Sequence, residues 1–180
     1  MEELVVLVDE QNKVLGTTPK ATVHSNHTPL HRGFSLFVFN PQGLFLMTQR
    51  ALSKKTFPGV WTNSVCGHPG LNEEPIDAAR RRLQEEMGMS LQSVSKAADY
   101  RYTFPDVNGI VENEICPVFM GISVDVPKPV PNEIESWKWI EWKDFMQDMQ
   151  KHPNIYSPWC REEAIIVHKA IVQGKTLHRV

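Results

Sequence analysis

The sequence has no surplus of positive charge, no long apolar run, few cysteines and no repeats. Its 19 Lys and Arg stand against 21 Asp and Glu, for a formal net charge of −2 over 180 residues. Phosphate backbones demand clustered positive charge, so this balance excludes a general nucleic-acid binder. The opening MEELVVLVDE is acidic and its apolar stretch is short. It therefore reads as neither a signal peptide nor a membrane span. Three cysteines, an odd number, with no export signal, predict free thiols and a cytoplasmic setting. With 41% hydrophobic and 22% charged residues and no low-complexity linker, the chain reads as one soluble globular domain, 1–180.

Periodicity predicts a strand at Leu4–Val8, a turn at 11–16 into a second short strand, and a loop at 18–32 with one helical turn. Two strands rich in aromatic and aliphatic residues follow, Phe34–Phe39 and Leu44–Arg50, joined as a hairpin by Asn40-Pro41-Gln42-Gly43. Residues 51–60 form a basic loop. Pro75 suits a first helical position, Ile76, Ala79, Leu83 and Met87 recur at helical spacing, and Gly88 suits the C-terminal cap. That helix is expected to pack on the sheet through Ile76, Ala79 and Leu83, with Arg82 and Glu86 on the face away from its apolar stripe. Ala98–Phe104 and Ile110–Ser123 read as two strands about a turn at 105–109. Trp137–Trp142 reads as another strand, with a short helix from Lys143. Ser157 and Pro158 then open a last helix that runs to about Gln173. Strands with two or three helices make the class α/β or α+β.

Asn63 to Met89, NSVCGHPGLNEEPIDAARRRLQEEMGM, concentrates the chemistry. From Gly67 it resembles the Nudix box at Gly67, Glu73, Arg81, Leu83, Glu85, Glu86, Gly88 and Met89. Arg82 stands where hydrolases of that class carry a glutamate. TNSVCGHP, with RALSKK upstream and GIVENEICPVF downstream, resembles something narrower, the Nudix-fold isopentenyl-diphosphate isomerases. The resemblance spans most of the chain. It implies a Nudix-type sandwich, a mixed β-sheet between α-helices.

Glu112 and Glu114 are two apart on an expected strand, so both side chains share a face. Paired carboxylates are costly there unless a cation lies between them. Three imidazoles with two carboxylates suit a borderline divalent ion, Mn²⁺, Mg²⁺ or Zn²⁺. Spacing does not separate His24 and His31 from His27; the resemblance places the ligands at His24, His31, His68, Glu112 and Glu114. Cys66, in a Gly/Pro-rich loop two residues from His68, is by the same resemblance one of two acid/base groups, with Glu114 the other. Cys116 and Cys160 have no such setting. Lys20, Arg50, Lys54, Lys55 and Arg82 make a basic set matched to a diphosphate. The resemblance puts Lys20, Arg50 and Lys54 on the substrate. Glu86 is expected to hold Mg²⁺ bridged to phosphate oxygens. Trp61, Trp159 and Tyr102 are simplest as core or rim residues, but the family places a tryptophan and a tyrosine at Trp159 and Tyr102 around the hydrocarbon. A tertiary carbocation formed there is stabilised by an aromatic face.

The resemblance thus implies an isomerase acting on an isoprenyl diphosphate; the charge balance argues against a nucleic-acid partner, and a monomer or weak homodimer is expected. Two rivals are a Nudix diphosphate hydrolase and a non-catalytic Nudix binding module. Arg82 argues against the first, and the second has no use for Cys66 with a His/Glu cluster.

Overall fold

The computed structural model describes residues 3–174. β1 (Leu4–Val8) pairs antiparallel with β2 (Val14–Pro19), and α1 (Lys20–Val23) is the single helical turn expected in the loop that follows. β3 (His31–Arg32) and β4 (Phe34–Phe39) come next, then β5 (Phe45–Arg50). Two short strands the sequence did not signal, β6 (Trp61–Thr62) and β7 (Val65–Gly67), precede α2 (Pro75–Met87). β8 (Ser93–Ala98), β9 (Arg101–Pro105), β10 (Val111–Ile115), β11 (Val118–Ile122) and β12 (Ile134–Ile140) lead to α3 (Trp142–Lys151) and α4 (Pro158–Val172). The strands form a five-stranded sheet, β2-β1-β3-β10-β9, and a seven-stranded one, β12-β5-β4-β11-β8 with β6 on β5 and β7 on β4. The large sheet lies between α2 on one face and α3 with α4 on the other. The expected sandwich of mixed sheet and helices is therefore present.

The hairpin at 34–50 forms, but only at its closed end, where Phe39 pairs with Phe45. Beyond that point β4 and β5 splay, and residues 61–67 enter the gap. β6 pairs with β5 and β7 with β4. Fully buried Ser64 closes the wedge: its Oγ accepts from Val38 N at 2.8 Å and donates to Leu46 O at 2.6 Å. The backbone groups exposed by the splay are satisfied by the inserted strands together with this hydroxyl, so the opening carries little orphan polarity.

Two expected strands are each broken in two. Residues 93–98 belong to the large sheet and 101–105 to the small one, so the strand expected at 98–104 crosses a boundary. The expected strand 110–123 breaks at Cys116-Pro117, where proline cannot donate to a ladder. β10 lies in the small sheet and β11 in the large. β3 and β4 break alongside at Gly33, whose N–H reaches Ile115 O at 2.9 Å, while Ser35 N reaches Pro117 O at 3.1 Å. Two parallel strands thus cross together from one sheet to the other.

In α2, Ala79, Leu83 and Met87 are fully buried and Ile76 packs at the edge of their cluster. Gly88, at φ 63°, caps the helix, its N–H bonding Gln84 O. Arg82 and Glu86 point away from that stripe as expected, yet both are buried. The 128–134 segment packs on the end of the helix, with Lys128 N on Met87 O at 2.8 Å and Val130 N on Glu86 O at 2.9 Å, and its Glu133 reaches Arg82. Ser157 caps α4, its Oγ accepting from Cys160 N. The expected span of 1–180 runs beyond the described residues at both ends.

Candidate active site

A cavity of about 370 Å³ opens where the crossing strands pass between the sheets. Cys66, from β7, and Glu114, from β10, both line it, with Tyr102 and Trp159 beside them. Lys20, Arg50, Lys54 and Arg82 line it as well. Glu86 borders a recess of about 30 Å³ whose lining shares Arg50, Lys54 and Cys66.

His24, His31, His68 and Glu114 converge, with one ligand atom from each within 4.8 Å of the others. The ring centroids lie between 5.1 and 5.6 Å apart. Glu114 Oε1 is 3.1 Å from His68 Nε2 and 3.5 Å from His31 Nε2. Pro29 O sits 2.9 Å from His31 Nδ1, which fixes a proton there and leaves Nε2 a free lone pair. His24 Nε2 and His31 Nε2 are buried and, close as each lies to a carboxylate oxygen, neither makes a well-directed hydrogen bond among the described residues. Imidazole lone pairs aimed at a carboxylate in a buried cluster fit a divalent cation. Glu112 sits against His24, with Oε2 2.9 Å from Nε2, and is not one of the four converging residues. His27 is exposed and bonds Asn26.

Charge follows from these contacts. Burial works to raise the Glu114 carboxyl, but the neighbouring His31 and His68 overcome it and hold it well below the usual carboxylate range. Glu112 is also held low, because its contact with His24 outweighs burial. Burial lowers His68, whereas Glu114 outweighs burial and raises His31. The Cys66 thiol is pushed up to about 12 by burial, which the nearby Arg50 offsets only in part. A protonated thiol and an ionised carboxylate thus border one cavity, the complementary pair a proton transfer requires.

The basic residues are not idle. Lys20 pairs with Glu3 at 2.8 Å, and Lys54 pairs with Glu133. Arg50 donates to Thr56 O and Phe57 O, and its guanidinium lies 5.6 Å from the Trp159 ring centroid. Lys55 bonds His24 O at 2.8 Å. Arg82 grips Glu86, with Nη2 2.6 Å from Oε1, and reaches Glu133 at 3.4 Å. Burial raises the Glu86 carboxyl, with Arg82 opposing. Trp159 is 2% exposed, stacks on Tyr102 at 5.9 Å and 18°, and meets Phe57 edge-on. Cys116 and Cys160 are buried, while Trp61 sits half-buried under Lys138.

Sequence reasoning missed Glu3, Glu133 and Gly33. The two carboxylates are remote in sequence from the cations they meet, so no spacing signals them. Gly33 matters because a Cβ there would fall 1.8 Å from Glu114 Oε2. A lone glycine between the two-residue His31–Arg32 strand and the apolar β4 resembles an ordinary break.

A family model described as NUDIX domain matches residues 29–160. The chain is 48% identical over 164 residues to an isopentenyl-diphosphate Delta-isomerase of Corynebacterium efficiens, covering 88% of this chain and 86% of that one. It is 44% identical over 158 residues to the protein of the same name from Clavibacter sepedonicus, covering 87% and 83%. Among solved structures, a Deinococcus radiodurans protein superposes with a TM-score of 0.72 at 21% identity, over 90% of this chain and 97% of that one. A MutT protein from Methanosarcina mazei superposes with a TM-score of 0.65 at 18% identity, over 82% and 97%. The last two likenesses bear on the fold, and the sequence relatives on the kind of NUDIX protein, so the chain belongs to the NUDIX family and, within it, to the isopentenyl-diphosphate Delta-isomerases.

Proposed function

We infer that this protein interconverts isopentenyl and dimethylallyl diphosphate, the observation carrying it being Cys66 and Glu114 on one cavity beside Trp159. Moving the double bond inward adds a proton to the terminal methylene carbon and removes one from the chain carbon on the other side of the branch. One of Cys66 and Glu114 delivers the first proton and the other takes the second, so the substrate's proton count is unchanged. The branch carbon bears positive charge between the two steps. Trp159 and Tyr102 present π faces to that charge and keep water from it. Lys20, Arg50, Lys54 and Arg82 supply donors for the diphosphate, which must draw Lys20 from Glu3 and Lys54 from Glu133.

His24, His31, His68 and Glu114 would hold a divalent ion, Mn²⁺, Mg²⁺ or Zn²⁺, with Glu112 beside it; bound there, it supplies positive charge that fixes the Glu114 carboxylate. Glu86 is held by Arg82 and, among the described residues, belongs to no cluster of ligands that would make a closed metal site. It fits Mg²⁺ only when diphosphate oxygens complete the shell. Arg82 also weighs against hydrolysis, since a guanidinium cannot bind the ion that activates water.

A proton spectrum of isopentenyl diphosphate incubated with the protein tests this reading. Dimethylallyl diphosphate is the expected product, with negligible phosphate from it or from nucleoside diphosphates. Steady phosphate release without double-bond migration would overturn it.

A further inference from the structure

Glu163 is a charged-type side chain with no place in the chemistry above, and it is fully buried. It sits on α4 one turn after Trp159, and residues four apart share a helix face. Glu163 therefore shares the buried face of the helix with Trp159, one turn further from the cavity that Trp159 lines. Cys116 Sγ is 3.8 Å from Glu163 Oε1 and 3.5 Å from Ser35 Oγ. Ser35 is in turn the direct antiparallel partner of Cys66 in the β4–β7 ladder. Directly paired residues project to the same face with Cβ atoms about 4.5–5.5 Å apart. The chain of contacts Glu163, Cys116, Ser35 thus ends beside the Cys66 thiol.

Such a carboxyl is expensive. Burial pushes it well above the usual carboxylate range, with Ser35 and Cys116 opposing only in part. Its Oε2 has no hydrogen-bond partner among the described residues. A buried unsatisfied polar atom carries a desolvation cost that an apolar side chain of the same length avoids. Stability therefore does not account for an acid here. Its location under Cys66 does. β7 is a three-residue strand wedged into a splayed hairpin, so Cys66 has little regular sheet to hold it. A polar brace from α4 supplies what the short strand lacks.

We propose that Glu163 is a positioning residue for Cys66, acting through Cys116 and Ser35 to hold the floor on which the thiol rests. It touches neither the diphosphate cations nor the His/Glu cluster in any contact described. Its removal therefore affects the step that uses the thiol and leaves the grip on the diphosphate alone.

The inference rests on the isomerase reading for its kinetic test and stands apart from it in a second test. The full-length protein is compared with Glu163→Met, which matches the length without the polar atoms, and Glu163→Gln, which keeps them. Glu163→Met is expected to lower kcat at least ~10-fold with KM unchanged, since small misplacements of a reacting group cost that and more. Glu163→Gln should restore most of the loss, and Tm should not fall in either. Alkylation by iodoacetamide without substrate reads the thiol directly, because Cys66 borders the cavity while Cys116 and Cys160 are buried. Its rate should change several-fold in Glu163→Met and little in Glu163→Gln. An alkylation rate in Glu163→Met equal to the parent's overturns the proposal, whether or not the parent isomerises. A parental kcat in Glu163→Met, or an equal loss in both variants, overturns it too. Absence of isomerisation by the parent protein strikes the functional reading instead, and alkylation then decides this one. Should Glu163→Met not fold, Ser35→Ala breaks the same brace at its other end and is held to the same outcomes.

Discussion

Single side chains in this protein carry opposite charge states set by their immediate neighbours. Cys66 and Glu114 border one cavity, yet burial keeps the first protonated while two histidines keep the second ionised. Cys66→Ala removes one of the two proton carriers, and acid–base groups typically contribute roughly 10²–10⁴-fold. Turnover followed by proton spectroscopy should drop by that order, with a circular dichroism melt close to the parent's because a half-buried thiol leaves a small void. Glu163 shows the reverse of Glu114, a carboxyl raised above its ordinary value of 4.5. A group whose folded value is raised contributes stability that is whole below the unfolded value and is lost as pH rises through the folded one. Glu163→Gln abolishes that loss. Its gain in urea midpoint over the parent should be larger at about pH 8 than at about pH 5. A gain independent of pH would mean the carboxyl does not titrate differently on folding.

At the scale of elements, what matters is where strands stop. The paired breaks at Gly33 and at Cys116-Pro117 carry β3–β10 and β4–β11 from one sheet to the other side by side. His31 and Glu114 come from the first sheet and Cys66 from the second, so the crossing places metal ligands next to the thiol. Gly33 permits the close approach. Its missing Cβ is the space that Glu114 Oε2 occupies, at 1.8 Å. Because that oxygen ends a flexible side chain, Gly33→Ala should displace the carboxylate rather than unfold the protein. The expected signature is metal content, measured by elemental analysis, falling well below the parent's while Tm shifts by only a few degrees. Unchanged metal with a collapsed Tm would mean the glycine serves the backbone alone. The inserted wedge at 61–67 has the same character, since the hairpin that sequence patterning predicts is real but opens to admit it.

Across the whole molecule, four buried ligands from the α1–β3 segment, β7's end and β10 meet at one point, so an ion bound there ties both sheets together. Anything that binds the folded state alone raises apparent stability by mass action. Chelation should therefore lower Tm by several degrees, Mn²⁺, Mg²⁺ or Zn²⁺ should restore it, and His31→Ala should abolish the difference. A melt indifferent to chelator would remove the cluster as a metal site. How much of this was legible beforehand differs by level. The period of Ile76, Ala79, Leu83 and Met87 determined α2 and its buried face, because a helix repeats every few residues and the pattern is local. The two-residue spacing of Glu112 and Glu114 placed both carboxylates on one strand face, again a local matter. The motif around Cys66 and His68 picked out the site segment. What only the tertiary structure decided depends on residues far apart in the chain. Arg82 and Glu86 are buried where the cavity and its recess fold over them, and Glu133, remote in sequence, reaches Arg82. Lys20 and Lys54 are paired because Glu3 and Glu133 fold onto them. The strand expected at 110–123 changes sheets within one local pattern, and the one expected at 98–104 starts on the last residue of a strand in the other sheet, since periodicity records which side a residue faces and carries no information about which sheet it joins.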